Sequence, residues 1–189
     1  ATGAQLDFLI GAADETKTAM TECAKVLNEY KTVIVYDPND AKTIKQTFKE
    51  YGVDVTADVV TYTSFVAGLI KDGALKSENS GKEVVFQDPY QLARDLEETE
   101  ASREIIKAYA NLSEMLLNRK YTQLAGNLIM NEYMPKVIET VAENRWINAK
   151  NANAKVMVTA STAEYVMLSK TKPEGIDLKK IEEVVAECL

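Results

Sequence analysis

Histidine is absent from all 189 residues, and cysteine occurs only twice, at Cys23 and Cys188. The first absence removes the commonest neutral-pH acid/base group and the commonest metal ligand, so no triad containing histidine can be built. The second leaves too few thiols for a structural zinc or an iron–sulfur cluster, which usually take four. Hydrophobic runs are short, and none approaches the roughly 20 residues that a membrane helix needs, so no membrane span is expected. Cations are outnumbered 22 to 29, giving a net charge of -7. The paired cations, Arg119-Lys120 and Lys179-Lys180, are short and isolated, so no nucleic-acid partner is expected. Asp7 interrupts the first apolar run and no basic segment precedes it, which argues against a secretory signal and makes a cytoplasmic location the default.

Glycine and proline are also sparse, at eight and four residues, and no low-complexity segment is present, so the chain has little room for a flexible linker. What is there is 46% hydrophobic, enough to bury a core as one compact unit or two small lobes. Leu6 to Ile10 is a strand candidate closed by Gly11. Asp14 is a plausible N-cap for a helix with Ala19, Cys23, Val26, Leu27 and Tyr30 on its inner face, which reads Cys23 as core. The β-branched run Thr32 to Tyr36 predicts a buried strand, ending in the turn Asp37-Pro38-Asn39-Asp40. Ala41 to Tyr51 reads as a helix stopped by Gly52, with Ile44 and Phe48 inward. A short strand at Val59-Val60-Thr61 and a helix from Ser64 to Lys71 follow.

Ser77 to Lys82 is the clearest loop and the best lobe boundary, which divides the chain into 1–80 and 81–189. Beyond it lie a strand at Glu83 to Gln87, a helix opened by Asp88 as N-cap and Pro89 as first residue, and a helix at Glu100 to Tyr109 with Ile105 and Ile106 inward. Ser113 to Leu117 is a strand candidate. A long helix from Met134 to about Asn151 buries Val137, Ile138, Val141, Ala142 and Trp146. The strand Lys155 to Thr159, a helix from Ser161 to about Lys170 and a terminal amphipathic helix from Leu178 to Leu189 complete the pattern. Strands alternating with helices predict an α/β fold with a largely parallel sheet.

The turns that close these strands resemble those of the cysteine-rich CCG domain, found in heterodisulfide reductase subunits B and D and in the iron–sulfur subunits of glycolate and lactate oxidising systems. Where that family has His-Asp-Pro-Cys-His-Leu, this chain reads Gln87-Asp88-Pro89-Tyr90-Gln91-Leu92. Its Cys-Cys-Gly-X-Gly-Gly turn falls on Thr122-Gln123-Leu124-Ala125-Gly126-Asn127, where only Gly126 survives. Its Val-Thr-Ala-Cys-Pro-X-Cys turn falls on Val158 to Glu164, with Ser161 and Glu164 in the cysteine places. Asp37 and Asp40 similarly replace the thiols of a Cys-Pro-X-Cys turn in the first lobe, so the resemblance implies two degenerate CCG-like lobes.

The resemblance implies a redox-complex relative whose iron–sulfur cluster, and with it electron transfer, is gone: Tyr, Gln, Ser and Glu cannot supply soft anionic sulfur. The expected role is a non-catalytic structural or regulatory subunit docked on iron–sulfur or flavin subunits, with no cofactor, metal site or catalytic residue. A second reading has a small molecule, a metal or an enzymatic reaction reusing the former cluster cavity, lined by Asp37, Asp40, Gln87, Tyr90, Gln123, Ser161 and Glu164. Against it, Asp and Ser before a helix are ordinary caps, the reading preferred for Asp88 and Ser161. A third reading is a non-redox partner-binding module carried by the terminal stripe Leu178, Ile181, Val184, Val185 and Leu189, a pattern more often internal core.

Overall fold

The computed structural model describes residues 2, 7 and 9–187. It is a mixed α/β protein with parallel sheets flanked by helices, forming two compact units, 1–65 and 66–189.

In the first unit Asp7, Leu9 and Ile10 are helical rather than extended, and the Gly11 N–H closes a turn on the Asp7 carbonyl at 2.8 Å. Leu6 and Phe8 lie outside the described residues. An apolar run this short carries no period that separates strand from helix. Helix α1 (Ala13–Leu27) follows, with no side-chain cap: Asp14 sits inside its first turn. Its inner face is Thr16, Met20 and Ala24, so the face expected from Ala19, Cys23, Val26 and Tyr30 is rotated outward. Val26 and Tyr30 are 56% and 59% exposed, and Cys23 is only half-buried.

Strand β1 (Thr32–Val35) pairs in parallel with β2 (Asp58–Thr61), Thr32 opposite Asp58 and Val35 opposite Thr61. A parallel pair needs a crossover. It is supplied by α2 (Pro38–Lys42), a π-turn at Thr43–Thr47 and the short α3 (Phe48–Glu50). Asp37 caps α2 by accepting from the Asn39 N–H at 2.9 Å. Ile44 and Phe48 are buried as the sequence predicts, and Gly52, at φ +67, supplies the left-handed stop. Helix α4 (Tyr62–Lys71) begins directly after β2.

The second unit holds a four-stranded parallel sheet in the order β4-β3-β5-β6, formed by β3 (Glu83–Gln87), β4 (Asn111–Ser113), β5 (Val156–Thr159) and β6 (Asp177–Lys180). A π-turn at Gln91–Asp95 and helix α5 (Ala101–Tyr109) connect β3 to β4. Helices α6 (Leu128–Tyr133) and α7 (Pro135–Asn151) lead to β5, α8 (Thr162–Lys170) to β6, and α9 (Ile181–Ala186) ends the described chain. The core gathers Val85, Met115, Ala142, Trp146, Met157 and Leu168, and the Trp146 indole N–H reaches the Leu168 carbonyl at 3.2 Å.

Several boundaries differ from expectation. The β4 strand lies two residues upstream of the Ser113 to Leu117 candidate, and Val137 is exposed on α7. Leu178 belongs to β6, not to a terminal helix. Ile181, Val184 and Val185 of α9 are buried, and α9 packs on α5. That stripe is internal core and offers no partner surface, while Leu189 lies outside the described residues, as does Cys188.

One regularity links the two units. In each, a helix ends five residues before a four-residue strand (Leu27 to Thr32, Asn151 to Val156). Two residues beyond the strand an N-cap opens the crossover: Asp37, or Ser161, which accepts from the Glu164 N–H. The parallel partner strand then runs straight into a helix (Thr61 to Tyr62, Lys180 to Ile181). In the second unit β5 pairs on both edges; among the described residues β1 pairs on one. Ile34 is exposed there, whereas Val158, at the matching place in β5, is buried.

Candidate functional site

The chain leaves β3 toward β4 on one side, and β5 takes the other side. The carboxyl ends of β3 and β5 therefore flank a topological switch point, where open α/β sheets hold their ligands. Gln87 and Asp88 stand at one strand end and Thr159 to Glu164 at the other. Gln87, Asp88, Thr159, Ser161 and Glu164 are all buried there.

Glu164 occupies the third position of α8 behind the Ser161 cap, a spacing that ordinarily sends the glutamate back over the cap N–H. Here it turns inward. Both of its carboxyl oxygens accept from the Gln87 Nε2 at 3.3 Å, Oε1 also from the Ala125 N–H at 3.3 Å and Oε2 from the Thr159 hydroxyl at 3.4 Å. Burial pushes the Glu164 carboxyl up to about 8, against the downward pull of the Ala125 N–H, Gln87, the nearby Arg145 charge and Thr159. Gln87 ties the site together: its Nε2 also meets the carbonyls of Asp88 (3.1 Å) and Gln123 (3.0 Å), and its Oε1 accepts from Arg145 Nε at 2.6 Å. Arg145 is fully buried on α7, donates to the Leu116 carbonyl at 3.2 Å, and leaves Nη2 without a partner among the described residues. Burial lowers its pKa, offset in part by the charges of Glu164 and Asp88. Arg145 and Glu164 are thus coupled through one amide.

Asp88 is not the helix cap that its sequence context predicts. Its carboxylate takes a two-pronged bond from the fully buried Arg103 (Nη1 to Oδ1 2.6 Å, Nη2 to Oδ2 2.9 Å) and accepts the Arg119 N–H at 2.9 Å. The remaining Arg103 donors meet Glu114 at 2.8 and 2.9 Å and the Thr99 carbonyl at 2.6 Å, so the guanidinium is saturated. Burial opposes the Arg103 charge, but the bonds to Asp88 and Glu114 outweigh it and raise its pKa. Burial likewise pushes the Glu114 carboxyl up, yet Arg103 carries it below its ordinary value. Arg119 extends the network outward to Glu100 at 2.8 Å and Glu114 at 3.2 Å.

Of the seven residues proposed from the sequence, Gln87, Glu164 and the Gln123 carbonyl are joined by hydrogen bonds, and Ser161 caps α8 beside them. Tyr90 is half-buried, and its hydroxyl pKa is raised by burial, with Asp95 and Glu164 adding to the shift. Gln123 contributes its backbone, its side chain being exposed. Asp37 and Asp40 belong to the other unit, where Asp37 is a cap and the Asp40 carboxyl is raised by desolvation and by the Asp37 charge. Among the described residues no three His, Cys, Asp or Glu side chains form a group able to hold a metal.

Arg103 and Arg145 were missed. The signal was available: Ile138, Ala142, Arg145 and Ala149 fall on one face of α7, and Arg103 precedes Ile106 by one turn.

The loop from Thr122 to Asn127 meets the site through the Gln123 carbonyl and the Ala125 N–H. A Cβ on Gly126 would meet the Met167 Cβ at 2.5 Å and the Ala163 carbonyl at 3.0 Å, closer than packed atoms approach, so glycine is required for α8 to lie against this loop. Gly126→Ala is expected to lose about 1–3 kcal/mol as overpacking, read as a fall in the denaturation midpoint; an unchanged midpoint would show that loop and helix are farther apart.

No protein-family model matches the chain, and no curated protein matches it.

Proposed function

We propose that this chain is a cluster-free structural or regulatory subunit of a heterodisulfide-reductase-like redox assembly, without chemistry of its own, held against iron–sulfur or flavin subunits. The observation that carries this reading is the state of Glu164. It stands where the resembling family has a cluster thiol, and its two oxygens are already occupied by Gln87, Ala125 and Thr159. Tyr90, Ser161 and Glu164 are hard oxygen donors, and they do not fit a cluster that needs soft thiolates. Side chains fill the space instead.

The same network weighs against a ligand or metal reusing that position, because Gln87 and Glu164 are buried and bonded to one another. Two cap-bearing crossovers of the same form, at Asp37 and Ser161, support derivation from a duplicated CCG-like ancestor.

The test is anaerobic isolation of the tagged chain from its native source at rising salt, followed by identification of co-eluting chains and of their flavin and iron. Stoichiometric co-elution with a flavin or iron–sulfur subunit is expected. Elution alone at every ionic strength would overturn the reading.

A further inference from the structure

A cavity of about 590 Å³ opens in the second unit between the π-turn with the segment that follows it and the loop before Thr122, lined by Arg94, Glu97, Thr99, Arg119, Lys120 and Tyr121 among others. Its volume lies within the range of small-molecule sites. Three cations line it against one carboxylate. Arg119 is neutralised by Glu100 and Glu114. Among the described residues, Arg94 and Lys120 have no carboxylate within ion-pair distance.

Arg94 is positioned rather than free. Its Nε donates to the Lys120 carbonyl at 3.0 Å and its Nη2 to the Thr122 carbonyl, which fixes the guanidinium and, among the described residues, leaves Nη1 for another acceptor. Lys120 Nζ lies 5.3 Å from the centre of the Tyr121 ring, which is 65% exposed. Two lining residues, Glu97 (φ 54) and Arg119 (φ 51), hold left-handed backbone without being glycine. Such conformations are strained for a residue with a side chain and gather where a structure clamps a ligand. The Arg119 N–H is in turn anchored on the buried Asp88, so the strained wall is bolted to the saturated Arg103 pair.

The geometry points to a binding site in this cavity for a small oxyanion-bearing molecule, phosphate or carboxylate, held by Arg94 and Lys120 with Tyr121 as a flat wall. It is independent of the cluster-free reading and of any partner subunit. Arginine and lysine on two turns held together by the Arg94 bond to the Lys120 carbonyl suit such a group: one directs a planar donor, the other a mobile point charge.

The experiment is calorimetric titration of the full chain with inorganic pyrophosphate and, separately, citrate, at low and at physiological salt. Saturable one-to-one binding of either probe is expected, weakening with salt, with pyrophosphate or citrate binding more tightly according to the source of the oxyanion. Lys120→Gln, which breaks no hydrogen bond in the structure, should weaken binding about tenfold, the loss of one close charge contact of about 1.4 kcal/mol. Arg94→Gln should weaken it further, with its fold checked by circular dichroism, and Lys136→Gln, on the outer face of α7, should leave it unchanged. No saturable binding of either probe, or equal affinity in wild type and Lys120→Gln, would overturn the assignment.

Discussion

Arg103→Ala is expected to cost about 3–5 kcal/mol of folding stability, because it strips a buried carboxylate of its partner. The guanidinium and the Asp88 side chain are 0% and 2% exposed, so the charge left on Asp88 cannot recover its hydration. Its remaining acceptor bond, from the Arg119 N–H, is too little to offset that loss, and Glu114 is released at the same time. The matched comparison is Arg119→Ala, which removes a cation from the same network at its solvent edge, where Arg119 and Glu100 are 38% and 57% exposed. Pairs of that kind contribute about 0–1 kcal/mol. Urea denaturation of the two variants should therefore separate by several kcal/mol. Equal losses would mean that Asp88 and Arg103 are not closed off from water.

Glu164 should make stability depend on pH in a direction opposite to that of a salt-bridged carboxylate. Its folded value of about 8 lies above the ordinary 4.5, so between those values the folded protein binds one proton more than the unfolded chain. The contribution is complete below about pH 4.5 and is lost as pH rises through about 8. At 1.36 kcal/mol per pH unit, the window amounts to roughly 3–5 kcal/mol. Glu164→Gln removes the ionisation while keeping the shape: the amide oxygen can accept from Gln87 and Ala125, and its NH2 faces the Thr159 hydroxyl, which can accept. The difference in denaturation midpoint between wild type and variant should therefore shift steadily in favour of the variant from pH 5 to pH 9. Parallel profiles would show that Glu164 is ionised throughout.

Much of the fold was legible because local pattern and tertiary context agree. Glu83 to Gln87 is an apolar, β-branched run bounded by Asp-Pro, and it is a strand over those residues. Ile44 and Phe48 stand at helical spacing, Ile105 and Ile106 share the inward side of their helix, and all four are buried. Where the reading failed, a polar residue usually stood in the core. Thr16 is fully buried on α1, and because threonine counts as polar, the helix was rotated toward Ala19 and Cys23. Leu178 fits the helical spacing of Ile181 and Val185, yet the chain is extended through Lys180 and turns helical only at Ile181, so one apolar stripe covers two elements.

The site was half legible for a related reason. Ser161 caps α8 as its position implies, since a cap depends on residues three apart. Asp88 has the same local signature, but its carboxylate answers to Arg103, fifteen residues away, and no local window contains that partner. Gln87 and Glu164 were drawn together by the resemblance of their turns, whereas Arg145, which bonds Gln87 across 58 residues, belongs to no turn. A buried arginine is tolerated only when distant elements supply its acceptors, which a single sequence does not display.

The central claim, that side chains rather than a cluster fill the ends of β3 and β5, is tested most directly by iron analysis and visible absorption of the protein isolated anaerobically from its native source and freed of partner chains. The account predicts a colourless protein without stoichiometric iron. A visible band bleached by reductant, with iron in matching amount, would contradict it.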